Sequence, residues 1–412
     1  AFKDYTGITS LVIPDTVTKL GNTSFRGCTG ITSIDFGNGI TLLETFSFYL
    51  CSGITSLTIP NSVTTIERYS FSGCTNLTSI SMPNSVTSLG DSMFYNCSSL
   101  TSFIFPDNTD FTKIEYSFFQ NCSNLTSVTI PDSVTEIEYS VFKDCHNLPS
   151  ITLSENVTTL GNNIFNDCTS LTSITIPNSV NSLGEYAFYN CNLITSLTLS
   201  DNITDIKSST FFNCSSLPSI SIPNGVTNIG ASAFGQCENL TSLVIPDNVS
   251  NIDEGAVYYC QNITSLTLPN NNAFTTIKEQ TFRLCKKLTT VTIPNSVTDI
   301  QEAAFNSGGL TSVILSNSLT NIGVRALSYN DITSISLPNT LENIGERSFQ
   351  YNNFTTALTI PGNVTSVGAR AFETSGLTSV VFSNSPASIG NETFKSNFYL
   401  NTIDLGDSVS SI

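Results

Sequence analysis

Tryptophan is absent, histidine occurs once, methionine twice, and only 11% of the 412 residues are charged. The solitary His146 removes Ser-His-Asp and Cys-His arrangements, each of which needs an imidazole base beside its nucleophile. It also leaves zinc without a ligand set: His146 follows Cys145, yet the chain holds no second histidine and no CxxC pair to join them. A solvated turn histidine is the reading that remains. Carboxylates are scattered and do not recur as close pairs, so two-carboxylate glycoside hydrolysis has no support. Lys and Arg number 15 against 32 Asp and Glu, a formal charge of −17, and so sparse a cation content is unsuited to a phosphate backbone. No nucleic-acid partner is expected. No stretch approaches the length of apolar sequence that crosses a bilayer, and the opening "AFKDYTGITS" lacks a basic region followed by an apolar one. Neither a membrane insertion nor a signal peptide is expected within this segment. The chain reads as a non-enzyme without catalytic residues, metal or cofactor.

What is abundant is periodic. Cysteines fall at 28, 51, 74, 97, 122, 145, 168, 191, 214, 237, 260 and 285, in steps of 23 residues broken by two steps of 25. A fixed period in this range marks a repeat architecture, in which each unit buries its apolar face only against its neighbours. The unit is well represented by "LTSITIPNSVNSLGEYAFYNCN", residues 171–192, and about 17 copies follow one another without a linker. Within it "LTSITIP" alternates apolar and hydroxyl positions and predicts a short half-buried strand. A proline ends that strand in most copies (Pro60, Pro83, Pro131, Pro177, Pro223, Pro294, Pro361), because it has no amide to donate and a fixed φ. A second apolar pair in "SVNSLG" predicts a shorter extended segment, and a compact turn carries the aromatic. Leu171, Ile174, Ile176, Val180, Leu183 and Phe188 are expected to face inward as ladders, with rungs stacked at about 4.8 Å.

"LTSITIPNSV" together with "IGASAFGQCENLTSLVIP" (229–246) resembles the BspA-like, or treponemal, class of leucine-rich repeats, whose pattern couples LxxIxIP with IGxxAFxxC. The resemblance covers essentially the whole chain. It implies a right-handed leucine-rich solenoid with a parallel β-sheet on one face. The family is known from surface proteins of bacteria and of trichomonad-like protists, several regarded as adhesins, and its motif carries no catalytic residue. The expected architecture is one continuous β-rich solenoid over 1–412, period 23 with 22 and 25 variants. Cysteine-type rungs fill 1–300, and 301–412 holds mostly 22-residue rungs in which the cysteine slot becomes Gly308, Asn330, Asn352, Ser375 and Asn397. In several leucine-rich classes Asn and Cys share a slot that satisfies the turn from inside. Phe2 already occupies the recurring aromatic slot and "GDSVSSI" breaks off in mid-repeat, so both ends are expected to be cut within a repeat of a longer protein.

Four details complete the expectation. The thiols are read as a ladder of buried, reduced cysteines, because side chains stacked in register point the same way at a spacing longer than a disulfide's Cβ separation. The two-residue insertions in "PDNTDFTKIEYSFF" and "PNNNAFTTIKEQTF" place Phe111 and Phe274 near the slot usually held by Val, as matched bulges on one edge. Ala357 is read as inserted into a strand. Of the fourteen Asn-x-Ser/Thr sequons, a number that composition alone would generate, Asn156, Asn202, Asn248 and Asn363 share one turn slot and are the expected N-glycosylation sites. Asn96, Asn121 and Asn213, beside the cysteines, are expected to be less accessible.

Function is sought on the outward side of the strand. Two columns emerge, Ser127, Ser150, Ser173, Ser196, Ser219, Ser242 and Ser265, and beside them Thr129, Thr152, Thr175, Thr198, Ser221, Val244 and Thr267. Hydroxyl residues suit an exposed sheet, and that alone would account for them. The functional reading takes Ser127, Thr129, Ser150, Thr152, Ser173, Thr175, Ser196 and Thr198 as a partner-binding face. It belongs to an extracellular or cell-surface adhesin or recognition scaffold, with a protein or glycan ligand. A structural rod that self-associates end to end into a fibre or coat is the alternative, and ice binding through the Ser/Thr columns a remote one.

Overall fold

The computed structural model describes residues 1–383 and 388–406. Most rungs contribute a strand of about three residues, a two-residue strand and a turn, and about 17 such turns form a parallel β-solenoid. No helix occurs among the described residues. Contacts group the chain into two compact units, 1–203 and 204–412.

In the first unit the strands Ser56–Thr58, Ser79–Ser81 and Ser102–Ile104 pair in parallel with Ser opposite Ser and Leu57, Ile80 and Phe103 in line. The two-residue strands form their own ladder, from Lys113–Ile114 through Glu136–Ile137 and Thr159–Leu160 to Ser182–Leu183. The turn side is knit the same way: Phe25 N–H donates to Ser47 O and Phe48 N–H to Ser70 O, both at 2.9 Å. In the second unit the corresponding two-residue ladder runs over six strands, Thr276–Ile277 to Ser388–Ile389. Because every side of a rung bonds to the next rung, the repeat has no stable form in isolation.

The predicted inward set is buried: Leu171, Ile174, Ile176, Val180, Leu183 and Phe188 are all at most 5% exposed. Phe25, Phe48, Phe71 and Phe94 stack with ring centroids 5.5–5.9 Å apart and planes within 8°. In the second unit Phe349 and Phe372 stack at 5.1 Å. Phe111 and Phe274 are buried too, and each insertion is closed by one asparagine. Asn108 donates to Asn84 O and Val86 O while its Oδ1 accepts from the Asp110 and Phe111 amides. Asn271 repeats this with Asp247 O, Val249 O and the Ala273 and Phe274 amides.

All twelve cysteines are free and buried. Each thiol with a described bond donates to the carbonyl of the residue in the aromatic slot one rung earlier, as in Cys51 to Phe25 (3.0 Å), Cys97 to Phe71 and Cys168 to Phe142 (both 3.1 Å). Burial pushes the Cys51, Cys237 and Cys285 thiols up to about 12 and carries Cys74 and Cys97 well above the ordinary value, so the column remains protonated and able to donate. Where asparagine replaces cysteine it takes the same carbonyl: Asn330 Nδ2 reaches Phe305 O at 2.9 Å and Asn397 Nδ2 reaches Phe372 O at 2.7 Å.

The change of residue and the change of period have one cause. In a 23-residue rung the loop after the cysteine closes on itself, as in Leu77 N–H to Cys74 O (3.0 Å). The shorter loop cannot make that turn and leaves the amide without a partner, so the next rung must supply one. Asn330 Oδ1 accepts from Leu310, Asn352 Oδ1 from Ile332 and Asn397 Oδ1 from Leu377, each at 3.1 Å. A thiol can donate to the carbonyl but offers that amide no comparable acceptor. Gly308 belongs to the same arrangement, because a Cβ there would lie 2.8 Å from Asn330 Oδ1.

Three local expectations are corrected. Ala357 lies exposed just ahead of the strand Leu358–Ile360 and not within it, because the pairing of Leu358 with Val380 fixes the register and pushes the extra residue into the preceding bend. Asn96 is exposed, because only the cysteine that follows it turns inward, whereas Asn121 and Asn213 are half-buried and so less accessible, as expected. Strands also weaken at the rungs of Pro149 and Pro218, and 334–336 has no strand either. Pro149 and Pro218 occupy the slot from which Thr126 N–H donates to Thr101 O; with no N–H to give, the first rung keeps only isolated bridges and 219–221 has no strand.

The dependence of the short loop on its neighbour is testable. Asn330→Cys keeps a donor to Phe305 O but strands the Leu310 amide, and should destabilise the protein by about 1–3 kcal/mol. Inserting one residue after Gly309 in that variant should restore most of the loss in a urea midpoint, and an insertion that destabilises further would contradict the loop-length explanation.

Candidate functional site

Outward side chains on the strand side of the first unit come from alternation alone: Ile151, Ile174 and Leu197 turn in, so their neighbours turn out. Ser127, Thr129, Ser150, Thr152, Ser173, Thr175, Ser196 and Thr198 are all exposed. Parallel register brings them into two columns, with Ser173 opposite Ser196 and Thr175 opposite Thr198, and bridges from Thr129 to Thr152 and Ser150 to Ser173. No charged residue stands in either column between Ser56 and Thr198.

The hydroxyls on this side fall into two sets. Threonines just ahead of the strand spend theirs on the backbone of the previous rung: Thr126 on Thr101 O (3.0 Å), Thr172 on Pro149 O (3.1 Å), Thr195 on Thr172 O (3.3 Å). Thr41, Thr64 and Thr158 do the same ahead of the two-residue strands. The eight outward strand hydroxyls make no side-chain hydrogen bond among the described residues, and so remain available to solvent or a partner. Sequence reasoning treated all surface Ser and Thr alike and missed this division.

The surface beside the columns is shallowly grooved. A cavity of about 300 Å³ is lined by Ser150, Thr152, Ser173, Thr175 and Ser196 with Glu155 and Pro177 at its edge. A cavity of about 380 Å³ lies at Phe103, Ile104, Phe105, Pro106 and Pro131, where Ile104 is 65% exposed. In the second unit a cavity of about 610 Å³ is lined by Thr267, Asn270, Thr292, Asn295 and Ile314 among others. None of these holds a constellation of titratable groups, and among the described residues no cluster of three His, Cys, Asp or Glu could hold a metal ion. His146 is exposed, its Nδ1 2.9 Å from Asp167 O.

Asn156, Asn202, Asn248 and Asn363 are exposed but tethered. Each Nδ2 donates to a carbonyl of the preceding turn at 2.6–2.8 Å. In the same slot Ser85 and Thr340 make equivalent bonds, whereas Ser62, Ser133, Ser179 and Ser296 leave an enclosed hydroxyl without a partner. Asparagine in this slot therefore has a structural duty apart from any sequon.

Stacked inward Leu, Ile and Phe, a hydrogen-bonding Cys or Asn inside the turn, and parallel strands on one side of each rung define a leucine-rich repeat protein. More narrowly, the chain belongs to the BspA-type leucine-rich repeat family, whose model matches residues 1–125, 112–239, 206–333 and 320–412. Among solved structures it is similar to a leucine-rich repeat protein from Bacteroides ovatus, at 24% identity over 69% of this chain and 86% of that one, with a TM-score of 0.50. A leucine-rich cell surface protein from Faecalibacterium prausnitzii matches at 23% identity over 86% of this chain and 88% of that one, with a TM-score of 0.42. The pneumococcal vaccine antigen PcpA matches at 18% identity over 94% and 90%, with a TM-score of 0.43. These likenesses concern the fold. No match is found among curated protein sequences. Among the described residues no helix is long and apolar enough to cross a membrane.

The two sets of hydroxyls should respond differently to substitution. Thr126→Val removes a bond to Thr101 O and should cost about 0.5–1.5 kcal/mol, while Thr129→Val, three residues on, should stay within about 0.5 kcal/mol of the parent. Equal losses in thermal or urea unfolding would show that the outward hydroxyls are structural after all.

Proposed function

We propose that this chain is a non-enzymatic recognition scaffold, secreted or displayed at a cell surface, that meets protein or glycan partners through its strand side. The observation that supports this reading is the uncommitted hydroxyl face of the first unit, uncharged and bordered by grooves, beside threonines such as Thr126, Thr172 and Thr195 whose hydroxyls are used by the fold. A repeat face of this kind works by many weak contacts spread over several rungs, and its affinity grows with the number engaged together. Membership of the BspA-type family supports the surface setting, since that is where the resemblance places its members. Asn156, Asn202, Asn248 and Asn363 remain the proposed glycan acceptors, because each Nδ2 carries a second N–H besides the one tied to the preceding turn.

The reading is tested by placing charge in the columns. The parent chain is screened against immobilised extracellular-matrix proteins and an array of neutral glycans, beside the double variant Thr152→Arg, Thr175→Arg. Binding of at least one probe, weakened about 10-fold or more in the variant, is expected. Binding that the variant leaves unchanged, or capture of no probe, would overturn the assignment of this face.

A further inference from the structure

The tyrosines of the first unit lie away from the strand side. Phe46 and Tyr69 stack on the turn side with ring centroids 5.0 Å apart, and Tyr49 meets both edge-on at 5.2 and 6.5 Å. Tyr116 and Tyr139 form a second stack at 4.8 Å with planes 5° apart, and Tyr139 is 45% exposed. The core does not need these rings, because Phe48, Phe71, Phe94, Phe119 and Phe142 already fill the inner column. Phe46 and Tyr69 also sit at left-handed φ of 57° and 56°, a conformation unfavourable for a bulky side chain. Other rungs fill that slot with residues as different as Ser92, Asn163, Tyr186, Gly255 and Arg347, so the fold does not dictate an aromatic there.

The surroundings indicate what these rings would meet. The Arg26 guanidinium lies over the Tyr49 ring, 5.3 Å from its centroid, so one ring of the patch already seats a cation. The Tyr116 and Tyr139 rings seat none among the described residues. Glu67, Asp91, Glu115 and Glu138 outnumber Arg68 and Lys113 on this side of the same rungs, and Lys113 is held by Glu138 at 2.7 Å and Glu115 at 3.4 Å. The Asp91 carboxylate lies next to the Tyr116 phenol, and hydrogen bonding between them pushes that phenol up to about 12. Tyr rings and carboxylates in alternation, on a chain of net charge −17, suit guanidinium and ammonium groups, which ring faces attract and carboxylates neutralise.

We propose that this aromatic and acidic turn side of the first unit, centred on Tyr69, Asp91, Tyr116 and Tyr139, docks a protein segment rich in arginine and lysine. It is a second recognition surface, independent of the strand side and standing whether or not the strand side binds anything. Arginine is favoured over lysine because its planar group stacks on a ring while bonding a carboxylate.

The test uses the full chain and labelled nona-arginine, nona-lysine and nona-glutamine peptides, with affinity read by fluorescence anisotropy. Tyr69→Ser, which introduces the residue several other rungs carry at that left-handed position, combined with Tyr139→Ser should weaken nona-arginine binding about 10-fold, as should Asp91→Asn to a smaller degree. Glu155→Gln with Asp201→Asn, two acids beside the strand columns, should leave binding within about 2-fold. Nona-lysine should bind more weakly than nona-arginine, and nona-glutamine not at all. The proposal is overturned if the strand-side pair weakens binding as much as the tyrosine pair, which would mean diffuse attraction to an acidic protein. It is equally overturned if the tyrosine pair changes nothing, or if the same tyrosines prove to be required for a neutral glycan and not for the peptide.

Discussion

The constraint that links rung to rung is the inward carbonyl of the aromatic slot, which in the cysteine rungs accepts twice, from the cysteine N–H of its own rung and from the thiol of the next, as Phe25 O does from Cys28 N–H (3.1 Å) and Cys51 Sγ (3.0 Å). The second of these bonds ties each rung to its neighbour and contributes about 0.5–1.5 kcal/mol. Cysteine meets the need with a single S–H in a small apolar side chain, and its burial keeps the proton in place by raising the thiol pKa. Asparagine meets it with an amide and brings an acceptor as well. That acceptor is what permits the loop ahead of it to lose a residue. Rung length, slot identity and the glycine at 308 are consequences of one hydrogen-bonding requirement passed from rung to rung.

Much of this was legible because identical rungs must place identical side chains in identical environments. The cysteine spacing revealed the period, alternation in "LTSITIP" separated inward from outward residues, and the Phe column followed from its position before each cysteine. What was not legible is what one rung does for another. Nothing in the local sequence around Leu310 says that its amide is served by Asn330, twenty residues away. The strand lost at 219–221 is explained by one missing N–H at Pro218, and the displacement of Ala357 by the register of a strand in the next rung.

The surfaces show the same split. The outward columns of Ser and Thr can be read from alternation, but the difference between Thr126 and Thr129 cannot, since both are exposed threonines in one segment. Only the carbonyl of Thr101 beside the first distinguishes them. The tyrosine patch left a trace in sequence, as aromatic residues at the turn slots of Tyr49, Tyr69, Tyr116 and Tyr139, but their pairing across rungs depends on stacking geometry. The fold thus divides its duties: the interior is uniform and fixes the spacing, while the strand and turn sides are free to vary rung by rung. In the first unit this places different chemistry on the two sides, neutral hydroxyls on one and aromatic rings with carboxylates on the other.

The most direct test of the rung-to-rung requirement is residue-resolved amide hydrogen exchange on the chain carrying Asn352→Cys. Exchange reports local opening, and the Ile332 amide depends on Asn352 Oδ1 alone. The Leu77 and Leu100 amides are closed by cysteine carbonyls of their own rungs. Ile332 should exchange about 10-fold faster or more in the variant, the equivalent of a lost buried hydrogen bond, with Leu77 and Leu100 unchanged. Undiminished protection at Ile332 would contradict the account.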